Sequence, residues 1–335
     1  MSIPVLPPSP GVGARRKGIK NPPKLPLSAF SPPNSGVSES FPLPPSPSTV
    51  HPDRIVDASV RGAISEWKKQ TGAVLEKRIS AVVVNASESE LDGLDAQVSA
   101  AGVSILSVAI PFSLEVGKAP TVPASKYPVS LSAVYNGPSD AAVEGLSAAL
   151  KAGYIVDIDV HSASESAWDQ LEDLLTKATV DVSGPGAVIL SNILPPPHDL
   201  ELPIVKLLTH SSYQSYQSHV AALSLIPHLY LKFLPPTWNA PTPPTPPPGA
   251  EVIAATKEKK EWKRRIKMYL GPAVEAFGFQ RILFGSAPST SSYSTSSAGD
   301  WYEIARESFA ELGVDQGDVD AVFGGNAQQV YGSPS

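Results

Sequence analysis

Few residues in this chain have the type and the setting to do chemistry. Tyr154-Ile-Val-Asp-Ile-Asp-Val160 reads as a strand, so Asp157 and Asp159 share one face of it. They form an acid/base pair, or one of them answers Arg61 or a neighbouring lysine. Two histidines stand at apolar segment ends: His161 directly after that strand, and His210 after the apolar run Ile204 to Leu208. Each is a candidate base, or a hydrogen-bonded strand-end residue with no ligand. His51, His198, His219 and His228 fall in loops or helices and need no function. The chain has no cysteine, which removes disulfides, thiolate metal sites and cysteine nucleophiles together. From Lys257 to Lys267 there are seven basic and two acidic residues. Trp262, Ile266 and Leu270 recur there at helical spacing. The charges therefore read as the solvated outer face of a helix rather than a nucleic-acid or membrane patch.

The elements that must position these groups follow from the apolar pattern. Buried strands are expected at 54–60, 79–84, 104–110, 129–135, 154–160, 186–191, 229–234 and 281–284, with 204–208 open between a strand and the start of a helix. Most alternate with helical segments, for example Ser139 to Ala152, which opens on a serine cap and stops at Gly153. Between 111 and 128 a Pro- and Gly-containing loop stands where a crossover helix is expected. Strands apolar throughout and separated by helices pair in parallel, with both faces covered. Eight such units favour a closed (β/α)8 TIM barrel over an open doubly wound sheet. No glycine-rich phosphate loop follows the first strand, which argues against a nucleotide site.

Composition bounds the rest. Of 335 residues 42% are hydrophobic and 17% charged, with a net charge of −6, which argues against a general nucleic-acid binder. No apolar run reaches the ~18 residues of a membrane span. Met1-Ser-Ile-Pro-Val-Leu-Pro-Pro lacks a signal-peptide core. A cytoplasmic protein with no membrane partner is expected. Residues 1–52 hold 14 of the 36 prolines and read as a disordered, solubilising tail. Polyproline II character at Leu43-Pro-Pro-Ser-Pro47 offers an SH3- or WW-type partner as the functional alternative. Pro235 to Gly249 contains eight prolines and reads as a loop insertion, 235–250, within a domain running from 53 to 331. A Ser/Thr run with the look of disorder follows Pro288.

Three segments carry a family resemblance. Arg281-Ile-Leu-Phe-Gly-Ser-Ala-Pro288 resembles the last strand, R-I-L-F-G-S-D-W-P, of the amidohydrolase-related family of TIM-barrel metal-dependent hydrolases. Phe323-Gly-Gly-Asn-Ala-Gln-Gln-Val-Tyr331 resembles its N-A-x-x-x-Y terminus, and Ile55-Val-Asp-Ala-Ser-Val-Arg61 its first strand, I-I-D-A-H-x-H. The likeness spans about residues 54–331. It implies a strand-end metal site of four histidines and an aspartate. There a cation such as zinc activates water, and the aspartate moves the proton.

By that match Ser59 and Arg61 stand at the two first-strand histidine positions and Ala287 at the aspartate. Two alignments remain for the middle strands. If Ile155 to Val160 is strand five, His161 matches a family histidine and Asn192 replaces the next. If it is strand four, Asn192 falls at strand five and His210 supplies the strand-six histidine. Val205-Lys-Leu-Leu-Thr-His210 resembles the family's L-x-L-V-L-x-H and favours the second.

The expectation is a barrel whose metal centre is mostly lost, with no resident metal or other cofactor. Zinc is the ion that a surviving site would take. Such a barrel binds a ligand or a partner without catalysis. The alternative is a hydrolase or decarboxylase of small carboxylated or amide substrates, with residual-metal or metal-independent chemistry. The catalytic candidates are His210, His161 and Asp57. Ser59, Asn192, Ser286 and Arg61 are the ligand-binding candidates. Arg61 would clamp a carboxylate or phosphate on a small anionic molecule, or pair internally with Asp57 or another acid.

Overall fold

The computed structural model describes residues 46–118, 121–161, 165–245, 253–293 and 295–332. Eight strands, β1 (Ile55–Arg61), β2 (Ile79–Asn85), β3 (Ser104–Pro111), β4 (Val129–Tyr135), β5 (Ile155–Val160), β6 (Ala187–Leu194), β7 (Leu229–Phe233) and β8 (Ile282–Phe284), pair in sequence order. Every pair is parallel. The ring nearly closes between β8 and β1, where Ala287, just after β8, donates its N–H to the Ser59 carbonyl at 2.9 Å. This is the expected TIM barrel, and each of the eight expected strands is present.

Helices α1 (Ile64–Gln70) and α2 (Gly72–Glu76) follow β1, and α3 (Leu94–Ala101) follows β2. Between β3 and β4 the described chain makes a single 3-10 turn at Leu114–Val116. Further on come α4 (Asp140–Lys151), α5 (Glu165–Thr179), α6 (Ile204–Leu207), α7 (Ser211–Leu223) and α8 (Ile253–Phe277). After β8 lie α9 (Ala298–Ala310), α10 (Gln316–Asp320) and α11 (Asn326–Tyr331). Ser139 caps α4 by accepting the Ala142 N–H at 3.0 Å, and Gly153 (φ 84) allows the turn into β5.

The run 204–208 is helical through Leu207, not a strand. Pro203 precedes it with no N–H to offer a sheet ladder. Ile155–Val160 is therefore the fifth strand, which is the strand count of the first alignment and not of the favoured second one.

Apolar side chains form two layers. The larger joins outward strand faces to the helices, as with Val84, Trp67, Ile158 and Leu174. The smaller fills the barrel with compact residues, Val56, Ala58, Ala81, Val83, Ala109 and Ala187 among them, and takes in Tyr331 from α11. Small strand residues leave the volume that one large ring fills.

The basic face of α8 is only partly solvated. Lys259 and Lys263 bond Glu307, and Lys263 and Lys267 bond Glu311, making an ion-pair ladder between α8 and α9. At the other end of the chain, residues 46–52 are held against α9. Arg306 Nη1 donates to the Pro47 and Val50 carbonyls at 2.8 and 2.7 Å. The rest of the expected tail, 1–45, lies outside the described residues, as does 246–252, which holds the far part of the expected Pro-rich loop. The near part of that loop is pinned, with Trp238 Nε1 on the Pro196 carbonyl (2.9 Å) and the Thr245 N–H on Asp300 (2.6 Å). No helix among the described residues is long and apolar enough to cross a membrane.

Candidate functional site at the carboxyl ends of the strands

In a parallel barrel, groups at the carboxyl ends of the strands share one mouth. On β1, Asp57, Ser59 and Arg61 alternate in sequence and should share a face. They do not. Asp57 is opposite Val82 and Val60 opposite Val84, so β1 carries one more residue than β2 between these pairs. That bulge exchanges the faces. Val56 and Ala58 point into the barrel, while Asp57 points outward to α1.

Asp57 is fully buried in the seam between β1 and β8. One carboxylate oxygen accepts the N–H groups of Ser59 (3.1 Å) and Ser286 (2.9 Å). The other accepts Trp67 Nε1 (3.0 Å) and the Ser286 hydroxyl. Burial pushes its pKa up, against the opposing pull of these donors. Asp57, Ser59 and Ser286 thus meet in a buried staple that closes the barrel. The Asp57 carboxylate and the Ser286 hydroxyl are engaged with each other, Ser59 joins the staple through its backbone, and Arg61 does not pair with Asp57.

Asp159 is the centre of the mouth. Its Oδ1 accepts the Ser289 hydroxyl at 2.7 Å. Oδ2 accepts the Thr290 N–H at 2.8 Å and the Thr290 hydroxyl at 2.7 Å. Arg61 Nη2 lies 3.4 Å from the same oxygen, and Arg61 Nη1 donates to the Pro288 carbonyl at 2.6 Å. Burial alone would raise the Asp159 pKa. The Ser289 and Thr290 donors and the Arg61 charge outweigh it and hold the carboxyl below its ordinary value. The run after β8, read as disorder, is folded across the mouth by acceptors on β1 and β5 and by a donor on β6.

His161 is the one candidate histidine at this mouth. Its Nε2 is 2.7 Å from Thr290 Oγ1 and 3.6 Å from Asp159 Oδ2. The second distance is too long for a hydrogen bond. Thr290 has a single hydroxyl hydrogen, and the carboxylate can only accept. The order is therefore His161 Nε2–H to Thr290 Oγ1–H to Asp159, and His161 Nε2 holds its proton. Beside it, Asn192 (φ 66) donates to the Val160 carbonyl at 2.7 Å and accepts the Thr237 hydroxyl at 3.0 Å.

His210 is elsewhere. It caps α7, where its Nδ1 accepts the Ser212 N–H at 3.3 Å on an exposed surface. Because 204–207 is helical, nothing carries His210 to a strand end.

A second charged group lies deeper in the barrel. Lys232 Nζ donates to Asp157 at 2.7 Å, and the Tyr331 hydroxyl donates to the same carboxylate at 2.8 Å. All three residues are buried. Each aspartate on the inner face of β5 therefore answers a cation, Asp159 Arg61 and Asp157 Lys232. Sequence reasoning left Lys232 unnamed, although a lone lysine in Leu229-Tyr-Leu-Lys-Phe-Leu234 was a visible signal. Ser289 and Thr290 gave no such signal.

Among the described residues no three His, Cys, Asp or Glu side chains converge as metal ligands. The mouth does not fit a divalent cation. A guanidinium stands in it, both Asp159 oxygens are engaged, and His161 Nε2 carries a proton.

No protein-family model and no curated protein matches the chain. Solved structures do. An amidohydrolase from Burkholderia multivorans with bound zinc is similar over 84% of this chain and 100% of its own, with 15% identity and a TM-score of 0.53. The same protein with bound HEPES gives 84%, 100%, 13% and 0.51. An amidohydrolase from Pseudomonas aeruginosa gives 86%, 98%, 9% and 0.44. At such identities the likeness is one of fold.

Proposed function

We propose that this amidohydrolase-related TIM barrel is non-catalytic, and that it binds a small anionic ligand or a partner. The observation that carries the reading is the state of Asp159. In a working strand-end site a carboxylate faces substrate or metal. Here it holds Ser289, Thr290 and Arg61 of its own chain. Arg61 brings a fixed positive charge that cannot be a metal ligand. An anionic ligand would reach it by displacing the Pro288 carbonyl. A partner of the proline-rich tail belongs to the same proposal but lies beyond the described residues. A nucleic-acid role finds little support, since three of the seven basic residues between Lys257 and Lys267 are paired with α9.

The alternative is a hydrolase or decarboxylase, favoured by the fold shared with a zinc-binding amidohydrolase. It requires the Thr290 segment to leave, so that His161 can accept a proton.

The test is metal content by mass spectrometry on the full chain, dialysed against zinc and then against buffer, with a parallel assay on amide substrates. Background metal and no turnover are expected. Near-stoichiometric zinc with hydrolysis would sink the proposal and restore the hydrolase.

A further inference from the structure

Ten of the twelve residues from Ser286 to Ser297 carry a hydroxyl. The part of this run that crosses the mouth is anchored at three places. Ser289 and Thr290 sit on Asp159, and the Ser291 hydroxyl lies 3.4 Å from Asn192 Nδ2. These anchors differ in access. Ser289 is buried, whereas Thr290 is exposed. Thr290 is also the densest node, because its Oγ1 joins Asp159 to His161 at 2.7 Å on either side. Thr290, an exposed residue, is therefore one anchor of the closed mouth, through its hydroxyl hydrogen and its N–H together.

We propose that Thr290 is a phosphoacceptor and that its phosphorylation opens the mouth. The inference rests on the reading of a self-occupied site and adds the control of that site. In the step, Thr290 Oγ1 forms a bond to the γ-phosphorus of a nucleoside triphosphate supplied by a protein kinase. The bond from that phosphorus to the diphosphate breaks, and the hydroxyl proton passes to the kinase's base. The product has lost the hydrogen that Asp159 accepted and gained a charge of about −1.5 to −2 beside that carboxylate. Asp159 is held ionised, so the two repel. Arg61 and His161 are the nearby cationic or donating groups, and both lie on the barrel side of the loop. Residues 288–291 leave Asp159, and Arg61 turns from the Pro288 carbonyl to the open mouth.

The experiment installs phosphothreonine at position 290 of the full chain and follows amide hydrogen exchange in peptides spanning 286–292. Exchange about a hundredfold faster than in the unmodified protein is expected, on the scale set by like charges a few ångströms apart near a surface. The uncharged variant Thr290→Val loses the hydroxyl alone and should accelerate exchange by about tenfold or less. Phosphosite mapping on protein recovered from its own cells should find phosphate on Thr290. Three results overturn the proposal: unchanged exchange in the phosphorylated protein, full opening by Thr290→Val, or phosphate confined to other residues of the run. A loop that stays shut when phosphorylated sinks the latch and leaves the metal-content result untouched, so the two readings fail separately.

Discussion

Lys232 offers the sharpest test of how the barrel interior is held. Its ammonium and the Asp157 carboxylate are 2.7 Å apart, with side chains 2% and 6% exposed. At an effective dielectric near 20 their attraction is about 6 kcal/mol, and much of it is offset by taking both ions out of water. Removing one partner is a different matter. Lys232→Met leaves a buried carboxylate with only the Tyr331 hydroxyl as donor. A loss of about 3–5 kcal/mol is expected, a large part of the ~5–15 kcal/mol that holds a typical domain. Asp157→Ala strands the ammonium and should cost a similar amount. The double variant should lose less than the sum, by about 2 kcal/mol or more, because neither ion is then left alone. Urea unfolding followed by tryptophan fluorescence measures this, with an unchanged slope showing that the compact state is the same. A Lys232→Met cost below about 1 kcal/mol, or additivity within about 0.5 kcal/mol, would refute the buried pair as a coupled unit.

Two further outcomes follow from the mouth and the seam. Asp159 has a lower pKa folded than unfolded. Its contribution is therefore complete above the unfolded value, about 3.9, and is lost as pH falls through the folded one. Exchange in 286–292 should stay protected from neutrality down to about pH 4 and rise below it. Asp159→Asn should raise exchange at every pH and abolish that acid step; an unaltered step would assign it to another carboxyl. Gly285→Ala places a Cβ 2.7 Å from Leu234 Cδ2 and 2.8 Å from Ser59 Cβ, inside the β1–β8 seam. It should cost about 1–3 kcal/mol in the same urea assay, and a neutral result would mean that the seam yields easily.

The fold was legible because its strands are buried on both faces. A short apolar run such as Ile79 to Val84 suits a parallel strand in a way that no surface element matches. The site was less legible, for three local reasons. The apolar residues Val205, Leu207 and Leu208 fit a strand or a helix equally well, and the short run gives periodicity nothing to decide on. The choice went to a helix, and His210 went with it. The bulge in β1 leaves no mark in Ile55-Val-Asp-Ala-Ser-Val-Arg61, yet one extra residue sends Asp57 to the far face from the mouth. The hydroxyl run after β8 has the composition of a loop with nothing to hold it. Its partners, Asp57, Asp159 and Asn192, come from strands 99 to 229 residues away.

Charge explains why these local choices belong together. Arg61 cannot lose its proton, so a mouth that contains it needs an anion close by. Asp159 supplies that anion and is kept ionised by the donors that the returning loop brings. Guanidinium, carboxylate and loop are therefore mutually dependent. Without the loop, Asp159 would rely on the more distant Arg61 contact; without Arg61, a buried carboxylate would hold only neutral donors. A divalent cation entering this arrangement would have to displace a fixed positive charge and take Asp159 from at least three donors at once. That competition is the physical reason for reading the mouth as closed upon itself. It also explains why a charge added at Thr290, rather than a change of shape, is the perturbation expected to open it.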